Sequence, residues 1–137
     1  MKTRHGFVSN SSSSSFVVFS REELTIDFIN KCLNTDGHPA EYILSSLAKF
    51  IIGNKKTKSF EDIAERMFGD REYEEPGSCE AQKKKFDEIT GRLPFVYMLE
   101  ASSDDDDFGP MLRDAGEECE TIIKCDDLFI TSMWGKL

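Results

Sequence analysis

Three groups of residues in this chain are of types that carry chemistry. They are four cysteines (Cys32, Cys79, Cys119 and Cys125), a run of aspartates (Asp104, Asp105, Asp106 and Asp107), and an N-terminal tract in which Arg4 and His5 precede a long polar stretch. The aspartate run begins like a calcium loop, with Asp104, Asp106 and Gly109 at the first, third and sixth places. It then departs from one. Phe108 holds the fifth place and Ala115 the twelfth, where a bidentate Glu is needed. The run therefore reads as a solvated acidic turn. Cys119 and Cys125 are close in sequence but lack the second close pair of a structural zinc site. The cysteines read as reduced, packed thiols, and neither a metal nor a cofactor is expected.

Nucleophilic catalysis needs a base, and the chain has two histidines, His5 and His38. His38 precedes Pro39 in a loop, a position that is more often solvated than catalytic. Gly6-Phe7-Val8-Ser9-Asn10 is not a nucleophile elbow, which places glycine on both sides of the serine. Ser11, Ser12, Ser13, Ser14 and Ser15 could present backbone amides to an anion, but the tract lacks the glycines and lysine of a phosphate loop. Serine hydroxyls bonding nearby backbone account for it more simply. Phosphorylation is the other reading: each phosphate would add nearly two negative charges, with Lys2, Arg4 and Arg21 near in sequence to pair with one. No catalytic residue is assigned, and the chain is read as a non-enzyme.

The elements that would position these residues follow from periodicity. Ser15 to Ser20 is a continuous apolar strand, expected to be central and covered on both faces. Ser20 with Glu23 reads as a capping box opening a helix whose apolar face is Leu24, Phe28, Ile29, Cys32 and Leu33, ending at Asn34 to Gly37. A second helix follows Pro39, with Ile43, Leu44, Leu47, Phe50 and Ile51 inward and Gly53 as its stop. Lys55, Lys56 and Lys58 form a basic loop. Phe60, Ile63, Ala64, Met67 and Phe68 give a third amphipathic helix closed by Gly69. A charged loop leads to a fourth, from Ser78 through Thr90, with Ala81, Phe86 and Ile89 inward and Gly91 at its end. Leu93 to Leu99 is a strand and Glu100 to Asp107 an acidic loop. Met111 to Ala115 is a short helix or turn. Thr121 to Cys125 and Leu128 to Trp134 are strands, a hairpin about Asp126-Asp127 or one bent strand. Helices grouped between strands predict an α+β fold: a small, mostly antiparallel sheet of the N-terminal and C-terminal strands packed with about four helices. The chain reads as one domain over residues 1–137, with 1–15 as a serine-rich arm leading into the first strand.

Charge narrows the function classes. The net charge is -9 over 137 residues. Residues 1–68 hold nine Lys/Arg against eight Asp/Glu, and residues 69–137 hold eight against eighteen. The acidic second half argues against direct nucleic-acid binding, because phosphate contacts need Lys and Arg. It fits solubility or a basic protein partner, met through Glu72, Glu74, Glu75 and Asp104 to Asp107. No apolar run approaches the roughly 20 residues of a membrane span, and the first residues lack the apolar core of a secretory signal. Eleven phenylalanines offset a modest 39% apolar content, so the chain can build a core without disulfides.

The N-terminus also carries a resemblance. Arg4, Gly6, Phe7, Val8, Ser9, Asn10, Ser11 to Ser15 and Phe16 match an opening found in a group of small uncharacterised bacterial and bacteriophage proteins: a basic residue, Gly-Phe-Val, then Ser-Asn, five serines and Phe. The match covers about a tenth of the chain and is dense. The resemblance implies a phage or prophage product acting in a bacterial cytoplasm or in a virion, and it supplies no catalytic residues. Two functions are expected from these readings. One is an acidic protein-binding module that modulates a host protein or nucleic-acid machine. The other is a virion or assembly component docking through the serine-rich arm. Phe7, Val8 and Phe16 are expected to pack, with the serines bonding backbone beside the sheet.

Overall fold

Ser13–Ser20 forms β1, and its side chains explain its place. Phe16, Val17, Val18 and Phe19 are four consecutive apolar residues, so both faces of the strand need cover. All four are fully buried, each contributing about 1.5–3 kcal/mol relative to exposure. The computed structural model describes residues 13–57, 60–69, 80–102, 108–118 and 121–132. Within them β1 is joined by β2 (Lys55–Lys56), β3 (Phe95–Ser102), β4 (Thr121–Lys124) and β5 (Leu128–Ser132). The sheet order is β2-β3-β1-β5-β4, and every pairing is antiparallel. The fold is α+β as expected, with β1 at the centre between strands drawn from the C-terminal half.

Helices cover both faces of this sheet. On one face Phe16, Val18, Tyr97, Leu99, Ala101, Leu128 and Ile130 meet α1 (Ile26–Leu33), α2 (Glu41–Asn54) and α5 (Gly109–Glu118) through Phe28, Ile29, Ala48, Ile51 and Leu112. On the other, Val17, Phe19, Val96 and Met98 meet α3 (Phe60–Ala64) and α4 (Glu80–Arg92) through Ile63, Met67 and Phe86. Phe19 anchors the second layer. Its ring lies 5.5 Å from Phe86, edge to face, and 5.8 Å from Phe129, stacked.

Several local expectations are corrected. β1 starts at Ser13, so the last three serines of the tract are strand residues opposite Ser102, Ala101 and Glu100. Ser20 does not open a helix. It stays in the ladder opposite Phe95 and Leu128, and its hydroxyl donates to the Glu22 carbonyl. The N-cap of α1 is Thr25, whose hydroxyl accepts from the Phe28 amide. Asn34 ends α1 in the left-handed conformation with its amide returned to Asn30 and Lys31. Ile43 points outward, because α2 turns about 100° per residue and its buried centre is Ala48 and Ile51. Lys55 and Lys56 are not loop but an edge strand opposite Leu99 and Met98. Gly53 and Gly91 lie inside helices that run on to Asn54 and Arg92. Ala81 is exposed. α3 widens into a π-helical turn over Glu65–Gly69 that keeps Met67 in the core. The segment read as a short helix or turn is the ten-residue α5.

Candidate functional site

The hairpin turn between β4 and β5 brings a thiol and two carboxylates together in three consecutive residues. Thr121–Lys124 and Leu128–Ser132 pair antiparallel, so the turn falls on Cys125, Asp126 and Asp127, one of the two forms expected for this segment. Arg21, just past the end of β1, holds it twice: its amide donates to the Asp127 carbonyl at 3.0 Å and its Nε to Asp127 Oδ1 at 2.6 Å. The Cys125 amide closes the turn on the Leu128 carbonyl at 2.8 Å. α1 faces the turn from the other side. A cavity of about 470 Å³ lies between them, lined by Glu22, Phe28, Lys31, Cys32, Cys125, Asp126 and Asp127.

The two cysteines are the nucleophile candidates there. The Cys125 thiol donates to the Cys32 carbonyl at 3.5 Å, which ties the turn to α1. Both are free and half-buried. Burial pushes the Cys32 thiol up to about 11, with Cys125, Asp127 and Glu22 adding to the rise. Burial and the neighbouring Asp126 and Asp127 push Cys125 up as well. Thiols so placed stay protonated at neutral pH and are poor nucleophiles. Both thus behave as the packed thiols that the sequence indicates. No cluster of three His, Cys, Asp or Glu suited to a metal ion occurs among the described residues.

His38 is engaged elsewhere. Its Nδ1 accepts from the Ala40 amide at 2.9 Å in the turn leading into α2, a structural use of the ring. Of the N-terminal motif, Ser13, Ser14, Ser15 and Phe16 belong to β1. The Ser14 hydroxyl donates to the Arg113 carbonyl of α5 at 3.1 Å, and Phe16 is fully buried, both as expected. Arg4, Gly6, Phe7, Val8, Ser9, Asn10, Ser11 and Ser12 lie outside the described residues. So do the acidic candidates Glu72, Glu74, Glu75, Asp104, Asp105, Asp106 and Asp107, together with His5, Cys79 and Cys119.

One exposed surface was not evident from the sequence. At the start of α2, Tyr42 is 84% and Ile43 56% exposed, with exposed Glu41 next to them in the chain. The signal was present in the helical spacing: Tyr42 falls roughly opposite the buried Ala48 and Ile51 positions on the helical wheel. No helix among the described residues is long and apolar enough to cross a membrane. Comparison of the chain with protein-family models, curated proteins and solved structures gave no match.

Proposed function

We propose that this chain is an acidic protein-binding module of phage or prophage type, one that modulates a host protein or nucleic-acid machine through a basic protein partner. It would act in the bacterial cytoplasm; a place in the virion belongs to the alternative reading. The observation that carries the proposal is the Tyr42–Ile43 pair. A tyrosine and an isoleucine in consecutive positions at a helix end, both more than half exposed, have the make-up of an interface anchor, since aromatic residues dominate hot spots. Glu41, exposed and next to Tyr42 in the chain, adds a local negative charge, and the net charge of -9 adds long-range attraction for a cationic partner. Direct nucleic-acid binding does not suit that balance.

The alternative is an assembly component docking through its serine-rich arm. Ser13 to Ser15 are committed to the central sheet, which leaves residues 1–12 for such a role and weakens it relative to the first reading.

Capture of partners from bacterial lysate tests the module. A protein retained by wild type at low salt and released by high salt should be lost with Tyr42→Ala/Ile43→Ala. The affinity cost expected is about tenfold or more, as for a hot-spot truncation. Circular dichroism of that variant should be unchanged because neither side chain is part of the core. Neutralising Asp104, Asp105, Asp106 and Asp107 to Asn should weaken capture further. Undiminished capture by the Tyr42/Ile43 variant removes the anchor, and salt-independent capture removes the electrostatic part.

A further inference from the structure

β4 carries the sheet one strand beyond β5, and on the α4 face a second cavity opens there. It holds about 420 Å³ between the end of α4 and the β4–β5 hairpin, and is lined by Ile89, Arg92, Lys124, Cys125, Asp126 and Phe129. The register explains its make-up. Lys124 stands directly opposite Phe129, so both project on the same sheet face, one a cation and one an aromatic ring. Phe129 is stacked on Phe19 towards the core and half-buried, which fixes the ring as a wall. Ile89 and Arg92 come from the last turn of α4, three residues apart and therefore on one helical face.

The charges are unusual for this chain. Two cations, both exposed, border one concavity in a protein of net charge -9. Neither the Arg92 nor the Lys124 side chain forms an ion pair or hydrogen bond with a described residue, and Asp126, though it lines the same space, bridges to neither. Arg92 offers a planar fork suited to a carboxylate or phosphate and Lys124 a point charge beside it. Ile89 and Phe129 offer an apolar wall. The volume falls within the range of small-molecule sites, which combine apolar walls with a few convergent polar groups.

We propose that this cavity is a binding site for a small organic anion. The ligand's carboxylate or phosphate sits between Arg92 and Lys124, and its flat apolar body lies against Phe129 and Ile89. The site is on a different surface from the Tyr42–Ile43 anchor, so it stands or falls independently of the partner-binding reading.

The test is titration of the isotope-labelled full chain with benzoate, phenyl phosphate and the uncharged benzyl alcohol, followed by NMR at Ile89, Phe129, Arg92 and Lys124. Benzoate and phenyl phosphate should shift these resonances saturably, with dissociation constants on the order of 1 mM or tighter. Benzyl alcohol should bind about tenfold more weakly, a difference of about 1.4 kcal/mol. Arg92→Gln and Lys124→Gln should each weaken both anions while leaving the rest of the spectrum unchanged, which shows that the variants are folded. Benzoate and phenyl phosphate then distinguish a carboxylate from a phosphate site by which loses more with Arg92→Gln. The proposal is overturned by equal binding of benzyl alcohol, by anion shifts that survive both substitutions, or by no saturable shift up to about 10 mM.

Discussion

Cys32 shows how one side chain's surroundings become a property of the whole protein. Its thiol is held protonated up to about 11, first by burial and then by the nearby Cys125, Asp127 and Glu22. In the unfolded chain the same thiol ionises near its ordinary value of 9.0. Between these two values the unfolded state has lost a proton that the folded state still holds, so stability falls as pH rises through the window. Below pH 9 the contribution is fully present. Comparing thermal unfolding at about pH 8 and about pH 10.5 should therefore show a steeper alkaline loss for wild type than for Cys32→Ala. The Cys32→Ala/Cys125→Ala variant should be flatter still, because Cys125 is shifted in the same direction. An alkaline slope identical in all three proteins would mean the thiols are not desolvated as the packing against α1 requires.

At the scale of elements, the segment from β1 to α1 shows where sequence signals compete. Ser20 with Glu23 has the residue types of a capping box and precedes the apolar run that starts at Leu24, yet the cap is Thr25, one residue into that run. Sheet pairing decides between them. A helix opening at Ser20 would direct the Leu24 amide to the Ser20 carbonyl; instead that amide goes to the Tyr97 hydroxyl at 3.2 Å, with Leu24 buried. Tyr97 belongs to β3, more than seventy residues away, and no local pattern announces it. Thr25→Ala should cost about 1 kcal/mol of stability and loosen α1, as N-cap removal generally does. Glu23→Ala should stay within about 0.5 kcal/mol, since Glu23 is exposed and outside the helix. Urea unfolding of the two variants separates the assignments, and the reverse order would restore the capping box. The same limit explains Lys55–Lys56. A two-residue strand has no period of its own and exists only because β3 is beside it, with Lys56 paired to Glu100 at 2.9 Å and Lys55 over the Tyr97 ring at 5.2 Å.

At the scale of the molecule, the α+β class and the central place of β1 were legible because four consecutive apolar residues, β-branched or aromatic and flanked by serines, favour a short strand covered on both faces. The assignment of helices to faces was not legible, since each amphipathic stripe needs a sheet but does not specify which side. The site was legible only in part: the hairpin turn was one of two forms expected for its segment, but the meeting of Arg92 with Lys124 and Phe129 at one cavity depends on how α4 ends over the sheet. The serine tract is where these scales meet. A sheet whose central strand begins near the first residues and whose neighbours come from residues 95–102 and 128–132 closes only when distant parts of the chain meet, a topology that folds slowly. Ser13, Ser14 and Ser15 extend that strand by three rungs against Ser102, Ala101 and Glu100, and Ser14 ties it to α5 through Arg113. Removal of residues 1–15 should therefore lower stability by about 1–3 kcal/mol relative to removal of 1–12, the loss expected for a few backbone bonds and one hydroxyl bond. Urea midpoints of the two truncations measure that difference directly. Equal midpoints would show that the sheet closes at Phe16, and that the last three serines are free to serve as part of a docking arm.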